Sequence, residues 1–151
     1  MRSLLAFALL AFVAAPVLAQ NVSADPNFGD VRVEEGFPND PYTIEVVAGG
    51  DIEPAVRGCD YGAITQAPDV DLYYDTSGSS TLYIYAVSGD DTTILVNLPD
   101  GNWACDDDSY DDGDPIVVIR GAESGLFNIW VGTYGDDPAE ATLFISEIDP
   151  R

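Results

Sequence analysis

From residue 30 onward the apolar residues of this chain recur at every second position and never at helical spacing. They come in short runs broken by clusters of Gly, Pro, Asp and Ser. A period of two places alternate side chains on opposite faces of an extended strand, so such runs suit half-buried sheet and not helix. Candidate strands cover 31–34, 42–48, 70–74, 81–87, 93–97, 115–120, 126–132 and 141–146. The breaks carry turn chemistry: Gly49-Gly50-Asp51, Ser77-Gly78, Ser88-Gly89-Asp90, Pro99-Asp100-Gly101, Ser124-Gly125 and Asp136-Asp137-Pro138. About eight short strands at this spacing predict an all-β fold, an antiparallel β-sandwich or jelly roll.

The alternation also assigns faces. Phe127, Ile129 and Val131 share one side of their run, as do Ala141, Leu143 and Ile145, and Leu82, Ile84 and Ala86. These three sets are the predicted core. Tyr83, Tyr85, Trp130 and Phe144 then point outward. Outward aromatics on adjacent strands offer a stacking platform for a sugar or a patch for a protein. Strand propensity with partial cover by loops explains them equally well. They stand as candidate ligand-binding residues, with Trp130 and Phe144 expected on neighbouring strands.

The first 19 residues read as a secretory signal. Arg2 precedes an apolar run from Leu4 to Val17, and Val17-Leu18-Ala19 is a small-residue cleavage site that leaves Gln20 as the new N-terminus. The apolar run is short of the about 20 residues that a membrane span requires. Residues 20–29 are expected to be a tether, and 30–151 a single domain. Export to the periplasm or the medium is oxidising, so Cys59 and Cys105, the two cysteines of the chain, are expected to form a disulfide.

The formal charge is −22, with five basic residues, all arginine, and no histidine. Nucleic acid and anionic membrane surfaces are poor partners for such a chain, because contacts to phosphate need Lys and Arg. Cations, basic proteins and neutral glycans remain. The acidity is concentrated in 106–114, where six aspartates fall within nine residues directly after Cys105. Clustered carboxylates repel unless water, salt or a divalent ion neutralises them, and Ca²⁺ favours hard oxygen ligands at flexible spacing. Asp106, Asp108, Asp112 and Asp114 are the candidate calcium ligands, with Asp90-Asp91 or Asp69-Asp71 able to add donors from neighbouring loops. A solvated acidic loop is the competing reading. The helix-loop-helix calcium template does not fit, since Tyr110 and Ile119 fall where it requires ligands.

No catalytic residues are assigned. The lack of histidine removes a Ser-His-Asp arrangement. Ser124 sits in a Glu-Ser-Gly turn without a nucleophile-elbow pattern, and Asp75-Thr76-Ser77-Gly78 is a turn composition before it is anything else.

Several segments carry a family resemblance when read in order: Asp69-Val70-Asp71-Leu72-Tyr73-Tyr74, Leu82-Tyr83-Ile84-Tyr85, Pro99-Asp100-Gly101-Asn102-Trp103, Cys105-Asp106-Asp107-Asp108, and Ile129-Trp130-Val131-Gly132-Thr133-Tyr134. Together they resemble the bacterial pre-peptidase C-terminal domain family, over about residues 30–147, and in particular its small stand-alone exported relatives. The resemblance implies a jelly-roll-like β-sandwich, accessory to secreted enzymes and without catalytic residues of its own. Some relatives in collagenases bind calcium and substrate; no ligand residue is carried over from them. The sequence thus leads us to expect an exported, non-catalytic binding module for a protein or a glycan, steadied by one disulfide and Ca²⁺. The alternatives are a structural subunit of a periplasmic or surface assembly and a small carboxylate-dependent hydrolase.

Overall fold

Alternating runs in the sequence become nine strands. They are β1 (Asp30–Glu34), β2 (Tyr42–Ala48), β3 (Val70–Asp75), β4 (Thr81–Ser88), β5 (Thr92–Asn97), β6 (Trp103–Asp106), β7 (Ile116–Arg120), β8 (Gly125–Thr133) and β9 (Ala139–Ser146). The structure, a computed structural model, describes residues 19–78, 80–135 and 137–151. Almost all of the expected signal, 1–18, therefore lies outside the described residues. Among the described residues there is no helix long and apolar enough to cross a membrane.

The strands form two sheets, one of five strands in the order β1-β3-β8-β5-β6 and one of four in the order β2-β9-β4-β7. All pairings are antiparallel except β1 with β3. The result is a β-sandwich, with one strand more than the alternation delivers. That strand, β6, has only four residues, all half-buried, and pairs with β5 from Ile94↔Asp106 to Asn97↔Trp103.

The core lies where the two inward faces meet. Phe127, Ile129 and Val131 of β8 oppose Leu143 and Ile145 of β9 and Leu82, Ile84 and Ala86 of β4, and all eight have no measurable exposure. Fully burying a side chain of this size stabilises the fold by about 1.5–3 kcal/mol. Period-two patterning is sufficient to build this layer.

A second, smaller core forms on the opposite face of the five-stranded sheet. There Trp130, Leu95 and Trp103 point away from the sandwich, and a flap of residues 49–68 lies across them, burying Ile52, Cys59 and Ile64. The flap is tied at Ile52↔Ile64, at Ala63↔Thr133 and by the Cys59–Cys105 disulfide, with the Cα atoms 5.7 Å apart. At Gly50 a Cβ atom would sit 2.1 Å from the Ile64 carbonyl, so only glycine lets the flap close on itself here. Residues 20–29, expected as a tether, run beside the end of the flap. Amides of Asn21, Asn27 and Phe28 donate to the carbonyls of Gln66, Pro68 and Asp69.

Candidate functional site

The strand directions bring three acidic connections to one end of the sandwich. The β4–β5 turn supplies Asp90 and Asp91, the β6–β7 loop supplies 106–114, and the β8–β9 turn supplies Asp137. The Thr92 amide donates to Gly113 and the Tyr134 amide to Asp91, so the connections are cross-braced through their backbones. Gly113 has φ +79°, a conformation costly for residues with a side chain. Neither of the two ion pairs among the described residues, Arg32–Asp30 and Arg151–Asp149, involves a residue of these connections.

The four candidate calcium ligands divide into two pairs. Asp106 and Asp114 are taken up by backbone amides of the loop and of the strands beside it. Asp106 accepts from the Ser109 amide (2.9 Å), the Ser109 hydroxyl (2.6 Å) and the Ile116 amide (2.8 Å). Asp114 is buried and accepts from the Ser88 amide at 3.1 Å. Asp108 and Asp112 instead line a concavity of about 360 Å³ with Ser88, Gly89, Asp90, Asp91 and Gly113. Among the described residues no three of His, Cys, Asp and Glu converge as a metal-holding group. The quartet read from the sequence is therefore not one coordination shell: half of it holds the loop together, and the other half faces the Asp90-Asp91 turn.

The electrostatics follow this division. Partial desolvation, then the charges of Asp108 and Asp112, push the Asp91 carboxyl above its ordinary range. Desolvation, then Asp108 and Asp106, does the same to Asp107. Burial raises Asp114, against the opposing bond from Ser88. In all three desolvation is the leading cause, and uncompensated like charges add to it.

Tyr110, in the middle of the acidic loop, folds back over the outer face of the four-stranded sheet. Its ring lies 4.8 Å from that of Tyr85, and Tyr85 stacks on Phe144, its register partner on β9, at 4.7 Å and 3°. The three rings form one continuous stack. Tyr85 in its middle is buried, while Phe144 and Tyr110 remain half-exposed. Tyr83, two residues along β4, is half-exposed beside Val118 of β7. The exposed Val47 and Val87 extend the apolar surface, with the Glu45 carboxylate accepting from Thr142 Oγ1 between their strands.

Of the four expected outward aromatics, Tyr83, Tyr85 and Phe144 share this face, and Trp130 does not. Strand β8 belongs to the other sheet, so Trp130 and Phe144 are not on neighbouring strands. Trp130 is fully buried under the flap, 5.7 Å from Trp103, with its indole Nε1 lacking a hydrogen-bond partner. Sequential strands commonly pair, but in a sandwich they also cross between sheets, and alternation along one strand does not distinguish the two cases. Tyr110 is the aromatic that the sequence reading missed. Its signal was weak, a lone aromatic in an otherwise acidic loop.

Among the described residues, hydroxyl–carboxylate contacts occur in a chain without histidine. Ser124 Oγ donates to Asp75 Oδ1 at 3.0 Å, but it also accepts the Thr76 amide at 2.9 Å and so braces the β7–β8 turn against the β3–β4 loop. Glu35, at the far end of β1, accepts from Thr76, Ser77 and Ser80, which holds it down to about 2. Asp69 has no measurable exposure. Its carboxylate accepts the Val131 amide at 2.8 Å and Asn27 Nδ2 at 3.0 Å, yet burial outweighs both bonds and pushes it up to about 6. Asp71, next on the same side of β3, accepts from Asn128 at 2.7 Å and is also raised by burial.

No family model and no curated protein matches the chain. Among solved structures it is similar to the pre-peptidase C-terminal domain of a collagenase from Bacillus anthracis. The identity is 13%, the TM-score is 0.48, and the match covers 83% of this chain and 100% of that one.

Proposed function

We propose that this chain is an exported, non-catalytic β-sandwich module that binds a protein or a glycan on the outer face of its four-stranded sheet. The observation that carries this reading is the Tyr110–Tyr85–Phe144 stack, an ordered aromatic surface built from two strands and a loop and left half-exposed at both ends. Tyr83 and Phe144 offer ring faces for the apolar side of a sugar or for a partner's side chains, and Glu45 is a hydrogen-bond acceptor beside them. Export is supported by the signal pattern of 1–19 and by the cysteine pair. The lack of turnover chemistry is supported by the want of histidine and by serine hydroxyls whose bonds brace loops and turns.

The proposal includes a cation at the acidic end, with its placement revised. Asp106 and Asp114 are occupied by backbone donors, and no three carboxylates converge on one point among the described residues, so a divalent ion such as Ca²⁺ would be held loosely over the concavity lined by Asp90, Asp91, Asp108 and Asp112, where its charge would offset the like charges that add to the desolvation of Asp91.

An NMR titration with neutral oligosaccharides and with candidate secreted proteins tests the first part. Ring resonances of Tyr83, Tyr110 and Phe144 are expected to shift together, and Tyr83→Ala with Phe144→Ala to abolish the effect. Shifts confined to other surfaces would defeat it. For the cation, Ca²⁺ is expected to raise Tm more than Na⁺ at equal ionic strength, and Asp108→Asn with Asp112→Asn to remove the difference. Equal shifts from the two salts would reduce the acidic end to a solvated surface.

A further inference from the structure

Strand β2 is one border of the four-stranded sheet. It pairs with β9 in unbroken register from Tyr42↔Ile145 to Ala48↔Ala139, seven residues without a bulge. Among the described residues no backbone or side-chain hydrogen bond reaches its other side. A strand border of this kind is a row of free N–H and C=O groups, able to take up another extended segment.

The side chains along this border have a definite pattern. Ile44, Val46 and Ala48 face the core, Ile44 being only half-buried, and at the start of the strand Tyr42 shares a concavity of about 450 Å³ with Val33 and Phe37. Thr43, Glu45 and Val47 are exposed on the outer face, with Glu140 opposite Val47 and Asp40 and Asp51 beyond the two ends. The arginine nearest this flank, Arg32, is paired with Asp30 and lies 3.7 Å over the Tyr73 ring.

A second copy of this chain fits poorly. Glu45 is the middle residue of β2, so a symmetric antiparallel pairing would set Glu45 against Glu45, and like charges directly opposite destabilise a sheet. Each copy would also bring a formal charge of −22. The complementary occupant carries cations on its outward side and aliphatic side chains on its inward side.

We infer that β2 is a strand-addition site for an extended segment of a partner protein in which basic and aliphatic residues alternate. Its backbone completes a fifth strand, its Lys or Arg side chains pair with Glu45 and its neighbours, and its aliphatic side chains close over Ile44 and Phe37. This border shares Glu45 and Val47 with the surface around the aromatic stack, but strand addition uses the backbone of β2 and does not depend on that stack binding anything.

The probe is an acetylated, amidated heptapeptide of alternating lysine and valine, added to the purified protein and followed by amide hydrogen exchange. Outward-pointing amides within Tyr42–Ala48 are expected to slow by about tenfold or more on binding. The fully N-methylated peptide, equal in charge but without N–H donors, is expected not to bind. Glu45→Lys, an exposed change whose fold is checked by its NMR spectrum, is expected to weaken binding about tenfold. Unchanged exchange in β2 with binding elsewhere, or equal binding of the N-methylated peptide, would overturn the inference. Protection of β2 in concentrated protein without any peptide would also overturn it, by showing that a second copy takes the border.

Discussion

Asp69 and Val131 are joined by a bond in which a side chain stands in for a strand. Where β3 begins, the Asp69 amide still donates to Ile129, but the next amide of β8, that of Val131, donates to the Asp69 carboxylate at 2.8 Å. The chain before Asp69 has turned away to form the flap, and the carboxylate fills the position the backbone vacates.

The burial of that carboxyl, which outweighs the bond, makes stability depend on pH. The Asp69 carboxyl is raised from 3.8 to about 6 in the folded protein, so folding favours its protonated form. Its contribution is fully present below about pH 4 and is lost as pH rises through 6, a span of about 2–3 kcal/mol. Asp69→Asn is expected to flatten the stability profile between pH 4 and 6 relative to the parent. Urea unfolding at a series of pH values measures it, and parallel profiles for the two proteins would refute the assignment.

Glu35 acts with the opposite sign. Hydrogen bonds from Ser77, Ser80 and Thr76 lower its carboxyl from 4.5 to about 2, so its contribution is present above pH 4.5 and is lost as pH falls through 2. Glu35→Gln is expected to remove part of the acid-side loss of stability and to leave the profile near pH 6 unchanged. Thermal melts from pH 2 to 7 give the comparison.

The Cys59–Cys105 bond fastens the flap across a sequence separation of 46 residues. Replacing both cysteines by serine is expected to cost about 3–4 kcal/mol by the chain-entropy estimate. For a domain of this size that lowers Tm by about 10 °C or more. Non-reducing peptide mapping should recover the two cysteines in one fragment pair; two free thiols in exported protein would contradict the pairing.

Gly50→Ala puts a methyl group 2.1 Å from the Ile64 carbonyl and 2.3 Å from the Thr65 amide, and backbone atoms cannot step aside as a side chain would. The expected loss is about 3 kcal/mol, at the upper end for overpacking. If the flap lifts, acrylamide should quench Trp130 fluorescence more strongly than in the parent.

The inner layer of the sandwich was legible in the sequence because it depends only on local alternation. Phe127, Ile129 and Val131 need no knowledge of their partners to be assigned inward. Trp130 is the counter-case. Its outward direction from the sandwich is real, but the flap covers it with Ile52, Cys59 and Ile64, distant in sequence and without periodicity of their own. Strand β6 escaped notice because four half-buried residues running into an acidic loop carry no alternating signal. The division of the acidic loop was equally hidden. Asp106 and Asp108 are indistinguishable by composition, and only the folded backbone decides that Asp106 meets the amides of Ser109 and Ile116 while Asp108 meets the Asp90-Asp91 turn.

The strand directions have a mechanical consequence. The chain enters β1 from the end of the sandwich that carries the acidic connections and leaves β9 at the opposite end, and β9 lies between β2 and β4. Tension applied through these two segments runs along the strands and loads the perpendicular hydrogen bonds of both β9 ladders at once, instead of opening them one after another. The domain is thus arranged to resist stretching, as a lap joint resists shear.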